Sequence, residues 1–113
     1  RYRKRFIVKA GQGYQKVNMT EIAYFCNQEG VTFARLIEGR SIPLDMTLER
    51  LTEGLAPEHF LRINRQLVVS VESILRIEPY LNGRLLLQLS PAHTDEVIVS
   101  RERVSLFKAW MNS

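Results

Sequence analysis

Short runs of β-branched, aromatic and alternating residues follow one another along most of the chain: RFIVK, YQKVN, IAYFCNQ, VTFARLI, SILRIEPY, RLLLQL and EVIV. Several are separated by turn signals such as GQG, EG and NG, and runs bounded in this way are the sequence form of strands. Asn82-Gly83 is the best hairpin turn, because both residues tolerate the positive φ that a tight hairpin demands; it joins a strand at 74–81 to the alternating stretch 84–89. Pro79 cannot donate a ladder hydrogen bond, which confines the first of these strands to an edge or a bulge.

Two stretches break the pattern. Around 46–55, Leu48, Leu51 and Leu55 recur at i, i+3 and i+7, with Leu44 or Asp45 at the mouth and Gly54 and Pro57 as stops. After Ser100, a good N-cap, Glu102 lies near the positive end of the helix dipole, and Val104, Phe107 and Met111 form an apolar face flanked by Leu106 and Trp110. The expectation is a mainly β fold with one short helix around 46–55 and a C-terminal helix around 101–111.

With 113 residues, 45% hydrophobic and 25% charged, the chain is large enough to bury one core, so we read 1–113 as a single domain. The first residue is Arg, from which we expect a fragment of a longer protein, with residues 1–5 the remnant of a linker. No apolar run approaches the roughly 18 residues of a membrane helix, and the basic start lacks the apolar stretch of a signal peptide. A single cysteine, Cys26, excludes an internal disulfide, suits a cytoplasmic location and reads as a packing residue within IAYFC.

The net charge of +4 is unevenly spread. Residues 1–16 carry +6 with no acid, 17–59 carry −4, and 60–113 carry +2. That distribution allows one positive face, as a phosphate backbone would select. Catalysis finds little support. His59 and His93 have no metal-ligand spacing to each other or to Cys26, GxSxG, P-loop and GxGxxG motifs are absent, and Asp95-Glu96 reads as a solvated turn. We therefore expect no enzyme, no cofactor and no metal.

One stretch resists the strand reading. In FLRINRQLVVSV, Leu61, Ile63, Leu67, Val69 and Val71 share one parity, yet Arg65 occupies the slot between Ile63 and Leu67. Burying an unpaired guanidinium costs several kcal/mol, roughly, so the alternation should break at 64–66, where Asn64 accepts turn geometry. Arg62, Asn64, Arg65 and Gln66 are then displayed together outside the core, either as a solvated or carboxylate-paired stretch or as a binding loop. About thirty residues on, VIVSRERV places Ser100, Arg101 and Arg103 where a strand gives way to a helix N-terminus, a favourable place to meet phosphate. Arginine also reads guanine bidentately in the major groove, as Asn or Gln does adenine.

In this combination the chain resembles the LytTR DNA-binding domain, an output module of bacterial response regulators. The likeness spans nearly the whole chain: a basic leading strand, TEIAYFCNQEG, the leucine helix, the F-x-R-[IA]-[HN]-R-[SQ] motif as FLRINRQ, the NG hairpin, and VSRERV before a helix. Asn64 stands where His is frequent, Gln66 where Ser is and Ser70 where Asn is, changes that keep hydrogen-bonding capacity.

The resemblance implies an elongated, mainly antiparallel β architecture that inserts loops, rather than a recognition helix, into successive major grooves. It implies three contact segments: the turn at 30–32, presenting Thr32; Arg62 and Gln66 on phosphates with Asn64 and Arg65 on bases or phosphates; and Ser100 to Arg103, with Arg101 reading a base and Arg103 clamping a phosphate. It further implies paired direct repeats in promoters as the target, with a dimer on DNA as one arrangement, and a receiver domain on the N-terminal side that a sensor kinase addresses. The competing class is a small β module that binds a partner protein through the aromatic residues near Tyr24, Phe25 and Phe33. A single-strand binder, which would need aromatics exposed on an open sheet face, ranks last.

Overall fold

The computed structural model describes residues 1–113. Its centre is a five-stranded antiparallel sheet of β3 (Ile22–Gln28), β4 (Val31–Leu36), β5 (Ser41–Leu44), β6 (Phe60–Arg62) and β7 (Leu67–Ser70), in the order β5-β4-β3-β7-β6. β3 and β7 are inner strands with both faces covered, so IAYFC and LVVS read as continuous apolar runs rather than alternating ones. Side-chain parity then sorts these residues into two cores. Tyr24, Cys26, Leu67 and Val69 face one way; Phe25 and Val68 face the other, joined by Ile22, which a bulge between Ile22 and Tyr24 turns to that side against its parity.

The first face is covered by a three-stranded antiparallel sheet, β8 (Ile74–Pro79), β9 (Leu85–Leu89) and β10 (Val97–Val99), with β9 in the middle. Leu85, Leu87, Leu89, Val97 and Val99 supply its buried side, and Phe107 of α2 (Val104–Met111) closes the core. The second face receives α1 (Leu48–Glu53), through Leu48 and Leu51 together with the following Leu55. It also receives the hairpin of β1 (Arg5–Ala10) and β2 (Gly13–Asn18), through Phe6 and Val17. The three layers give an elongated molecule with extents of 47 × 30 × 23 Å.

Both helices are shorter than their apolar patterns. α1 begins at Leu48, capped by Thr47, whose Oγ1 accepts from the Arg50 N–H at 3.1 Å; neither Leu44 nor Asp45 caps it, because Leu44 still belongs to β5. Gly54 ends it, as its place in the sequence suggests. At the other helix, residues Arg101–Arg103 form a 3-10 turn and the α-helix proper starts at Val104. β5 has no counterpart among the expected strands; Pro43 hides it, and β5 is an edge strand, where a proline is tolerated. Pro79 lies likewise on an edge strand, and Asn82 (φ 58°) and Gly83 (φ 73°) make the β8–β9 turn in the left-handed region.

Candidate nucleic-acid interface

β3 and β4 meet at one end of the central sheet in a tight turn, Glu29 (φ 53°) and Gly30 (φ 84°), and β6 and β7 meet at the same end in the loop 63–66. There the alternation around Arg65 breaks. Ile63 is fully buried, Asn64 half-buried, and Arg65 and Gln66 are exposed. The break is a local hydrogen-bonded device: Asn64 Oδ1 accepts the Gln66 N–H at 2.7 Å, an Asx turn that lifts residue 65 off the sheet. Arg62 braces it from below. Its Nε donates to the Asn64 carbonyl at 3.0 Å, its Nη2 donates to the Arg65 carbonyl, and Nη1 lies 3.3 Å from Glu49 Oε2 on α1. The Glu49 carboxyl is held below its ordinary pKa by its own backbone N–H and then by this arginine.

The loop is stitched to its neighbours on both sides. On one, the Asn27 N–H donates to the Gln66 carbonyl at 2.8 Å. On the other, Asn64 Nδ2 donates to the Ile98 carbonyl of β10 at 2.7 Å, the Ser100 N–H and Oγ donate to the Ile63 carbonyl at 3.0 and 3.3 Å, and Arg103 Nη1 donates to the Arg62 carbonyl at 3.3 Å. Segments more than thirty residues apart thus form one surface. An open groove runs across it, lined by Arg62, Asn64, Arg65, Gln66, Arg84, Ser100 and Arg103, with Glu49, Glu96 and Glu102 also among its walls. Backbone donors and acceptors that would otherwise be orphaned at the sheet end and at the edge of β10 are paired across the junction.

The expected contact residues divide by what their side chains are free to do. Arg65, Gln66 and Arg101 are exposed, whereas Arg103, Ser100 and Asn64 are half-buried and already bonded within the fold. Arg62 is only 15% exposed along its side chain, with its guanidinium shared among three acceptors. Thr32 requires a correction. It lies inside β4, 2% exposed and paired with Asn27 and Leu44, so it is not presented from the turn; Glu29, Gly30 and Val31 are what that turn exposes. The register explains the error, since Val31 is already a strand residue and Thr32 points inward.

Arg84 was not among the expected site residues. It follows the Asn82-Gly83 turn, lines the same groove, donates through Nε to the Leu81 carbonyl at 3.0 Å and lies with its guanidinium carbon 5.0 Å from the Tyr80 ring centre. Tyr80 in turn donates to Glu96 Oε1 at 2.9 Å. A β-carbon on Gly83 would sit 3.6 Å from Arg101 Cδ, so the stem of Arg101 runs alongside this turn. A base directly after a hairpin glycine was the only sequence signal for Arg84, and Glu49 gave none. Of the aromatic residues on which a protein-binding face would depend, Tyr24 and Phe25 are both 0% exposed core residues, and Phe33 is half-buried against the core that holds Tyr24.

Comparison with known proteins gives the family of the chain. A family model described as the LytTr DNA-binding domain matches residues 12–112. The transcriptional regulatory protein YpdB of Escherichia coli K12 is 31% identical over 94 residues, covering 83% of this chain and 38% of its own length, and YpdB of Shigella flexneri matches to the same extent. The chain therefore spans well under half of the curated relatives it matches. Among solved structures, the LytTr DNA-binding domain of a Bacillus cereus protein described as a methyl-accepting/DNA response regulator superimposes with a TM-score of 0.82 at 21% identity, over 98% of this chain and 99% of that one. On the family match, the chain belongs to the LytTR family of DNA-binding domains.

Proposed function

We propose that the domain reads duplex DNA with its loop cluster, inserting the loop 63–66 and the junction 100–103 into the major groove. The observation that carries this is the hydrogen-bonded assembly of two distant arginine segments around one groove, with Arg65 and Gln66 exposed in its lining and Arg101 exposed beside it. Arg101 and Arg65 reach base edges, where a bidentate contact discriminates by about 1–3 kcal/mol, and Gln66 adds a base or phosphate contact. Arg103 and Arg84, tethered nearer the backbone of the fold, face phosphates, and the Ser100 and Asn64 side chains hold the two segments together. Arg62 acts as a positioning residue for the loop.

The domain works in this reading as the output module of a two-component response regulator, at paired direct repeats in promoters, where two copies can sit side by side. A receiver domain, addressed by a sensor kinase, supplies the input. The greater length of the YpdB relatives supports this larger architecture.

The test is a titration of affinity against salt on a random duplex and on a duplex recovered by selection. Several neutralised phosphates give a steep fall of log affinity with log salt, and Arg101→Ala relaxes base preference with the thermal midpoint unchanged. A flat salt dependence on both duplexes would sink the reading.

A further inference from the structure

The most uniformly charged surface of the molecule lies outside the loop cluster, on the β1–β2 hairpin. In the register Arg5↔Asn18, Ile7↔Lys16 and Lys9↔Tyr14, one face of the hairpin carries Phe6, Val8 and Val17 into the core and the other turns outward. The outward face holds Arg5, Lys9 and Lys16 with Ile7 and Tyr14, which are 69% and 68% exposed, and no acid occurs before Glu21. Three cations beside two exposed, uncovered apolar side chains have no partner within the domain; Asp45 is the one carboxylate among the residues lining the groove beside Lys9 and Tyr14.

Register also fixes where the hairpin points. Phe6 packs on Phe25, in the middle of β3, at 6.1 Å between ring centres. Further along, Val8, Lys9 and Tyr14 share a groove with residues 43–46, and Leu44 is the partner of Thr32, at the end of β4 that carries the Glu29, Gly30 turn. The hairpin therefore runs towards the same end of the molecule as the loop cluster. Its layer lies on the α1 side of the central sheet, and the layer of β10 and α2 lies on the opposite side. A duplex lying across this end meets all three layers in turn. Even the longest extent of the molecule, 47 Å, is matched by about 14 base pairs at ~3.4 Å each, so a duplex of that length suffices however it lies across the protein.

We propose that the β1–β2 hairpin is a sequence-independent arm that grips the phosphate backbone flanking the bases read by the loops, through Lys9, Lys16 and the Tyr14 hydroxyl. This rests on the DNA-reading function proposed above. Lys9 and Lys16 are diagonal neighbours across the hairpin, with Cα atoms roughly 7–8 Å apart, so both serve one stretch of backbone. Lysine suits this role because a phosphate needs only a flexible point charge, whereas base reading needs the planar fork of arginine.

The experiment uses the double variant Lys9→Gln/Lys16→Gln, whose changes are on exposed positions, beside Arg101→Ala. The probes are a random duplex and a selected duplex, each about twice the ~14 base pairs just estimated. The double variant is expected to lose affinity by the same factor on both duplexes, with the salt slope shallower by about 0.9 per lost contact and hydroxyl-radical protection lost on one flank only. Arg101→Ala instead loses preference between the duplexes and keeps that flank protected. If the double variant keeps the parent's slope and footprint while Arg101→Ala still loses preference, the arm is refuted and the DNA reading stands; hairpin cations reserved for an acidic protein would give this result. If the parent's own affinity is indifferent to salt, both fall.

Discussion

Removing Arg62 distinguishes a side chain that builds the reading loop from one that grips DNA. Its guanidinium donates to the Asn64 and Arg65 carbonyls and reaches Glu49 at 3.3 Å, with 15% of the side chain exposed. Hydrogen bonds from a charged donor contribute about 1.5–3 kcal/mol each, but these carbonyls lie in a surface loop and regain water when the donor goes. Each is therefore worth nearer the roughly 0.5–1.5 kcal/mol of an ordinary hydrogen bond, about 1–3 kcal/mol for the pair. The Glu49 carboxylate is 71% exposed, so that ion pair adds at most about 1 kcal/mol and generally less. At 1.4 kcal/mol per tenfold, Arg62→Ala should weaken binding to a selected duplex by about 10–100-fold. The slope of log affinity against log salt should stay as it was, because no phosphate contact is removed. Arg62→Lys should resemble Arg62→Ala, since one ammonium cannot span both carbonyls in the guanidinium's planar geometry. Fluorescence anisotropy at several salt concentrations measures all of this. Equal losses on random and selected duplexes, a slope shallower by about 0.9, and rescue by lysine would show that Arg62 holds a phosphate and that its role is misassigned.

Asn64 does two jobs that substitution can separate. Asn64→Asp keeps an acceptor for the Gln66 N–H but loses the donor to the Ile98 carbonyl, so we expect a stability loss of about 1–3 kcal/mol by urea unfolding; an unchanged midpoint would mean that the link to β10 contributes nothing. Phe107→Ala removes the aromatic that closes the core under α2 and should cost about 3–5 kcal/mol, a large part of a typical domain's 5–15; a loss near 1 kcal/mol would show that α2 is loosely held. His93 stands edge-on to Tyr24 at 5.6 Å, and burial pushes its imidazole below the ordinary histidine value against an opposing pull from Asp95. The unfolded chain then binds the proton more readily than the folded one, so stability is full above about pH 6.5 and falls as the pH drops through the lowered value. His93→Phe should flatten that part of the urea-midpoint profile against pH, and an unaltered profile would assign the acid sensitivity to other groups.

The strands, the leucine helix and the place where alternation must break were legible in the sequence because each depends on short-range chemistry. Arg65 cannot stay in a core slot, Asn82 and Gly83 accept positive φ, and Leu48 and Leu51 must bury a stripe. The order and spacing of those elements also carried the family resemblance, including the two arginine segments. Residue roles within the site were a different matter. Thr32 sits one place beyond an exposed turn, and the register of β4 against β3 and β5, which local sequence cannot specify, turned it inward. Arg62 and Arg65 look alike in FLRINRQ; the folded shape of the loop lays the Asn64 and Arg65 carbonyls against the Arg62 guanidinium, α1 adds Glu49, and Arg65 is left exposed. Arg84 entered the groove because sheet packing brought a distant hairpin against Arg101. Propensity and periodicity act over a few residues, so the sequence determined which elements form, whereas the bonds that join the two arginine segments into one surface, Asn64 to Ile98 and Arg103 to Arg62, link distant parts of the chain and exist only once the layers have packed.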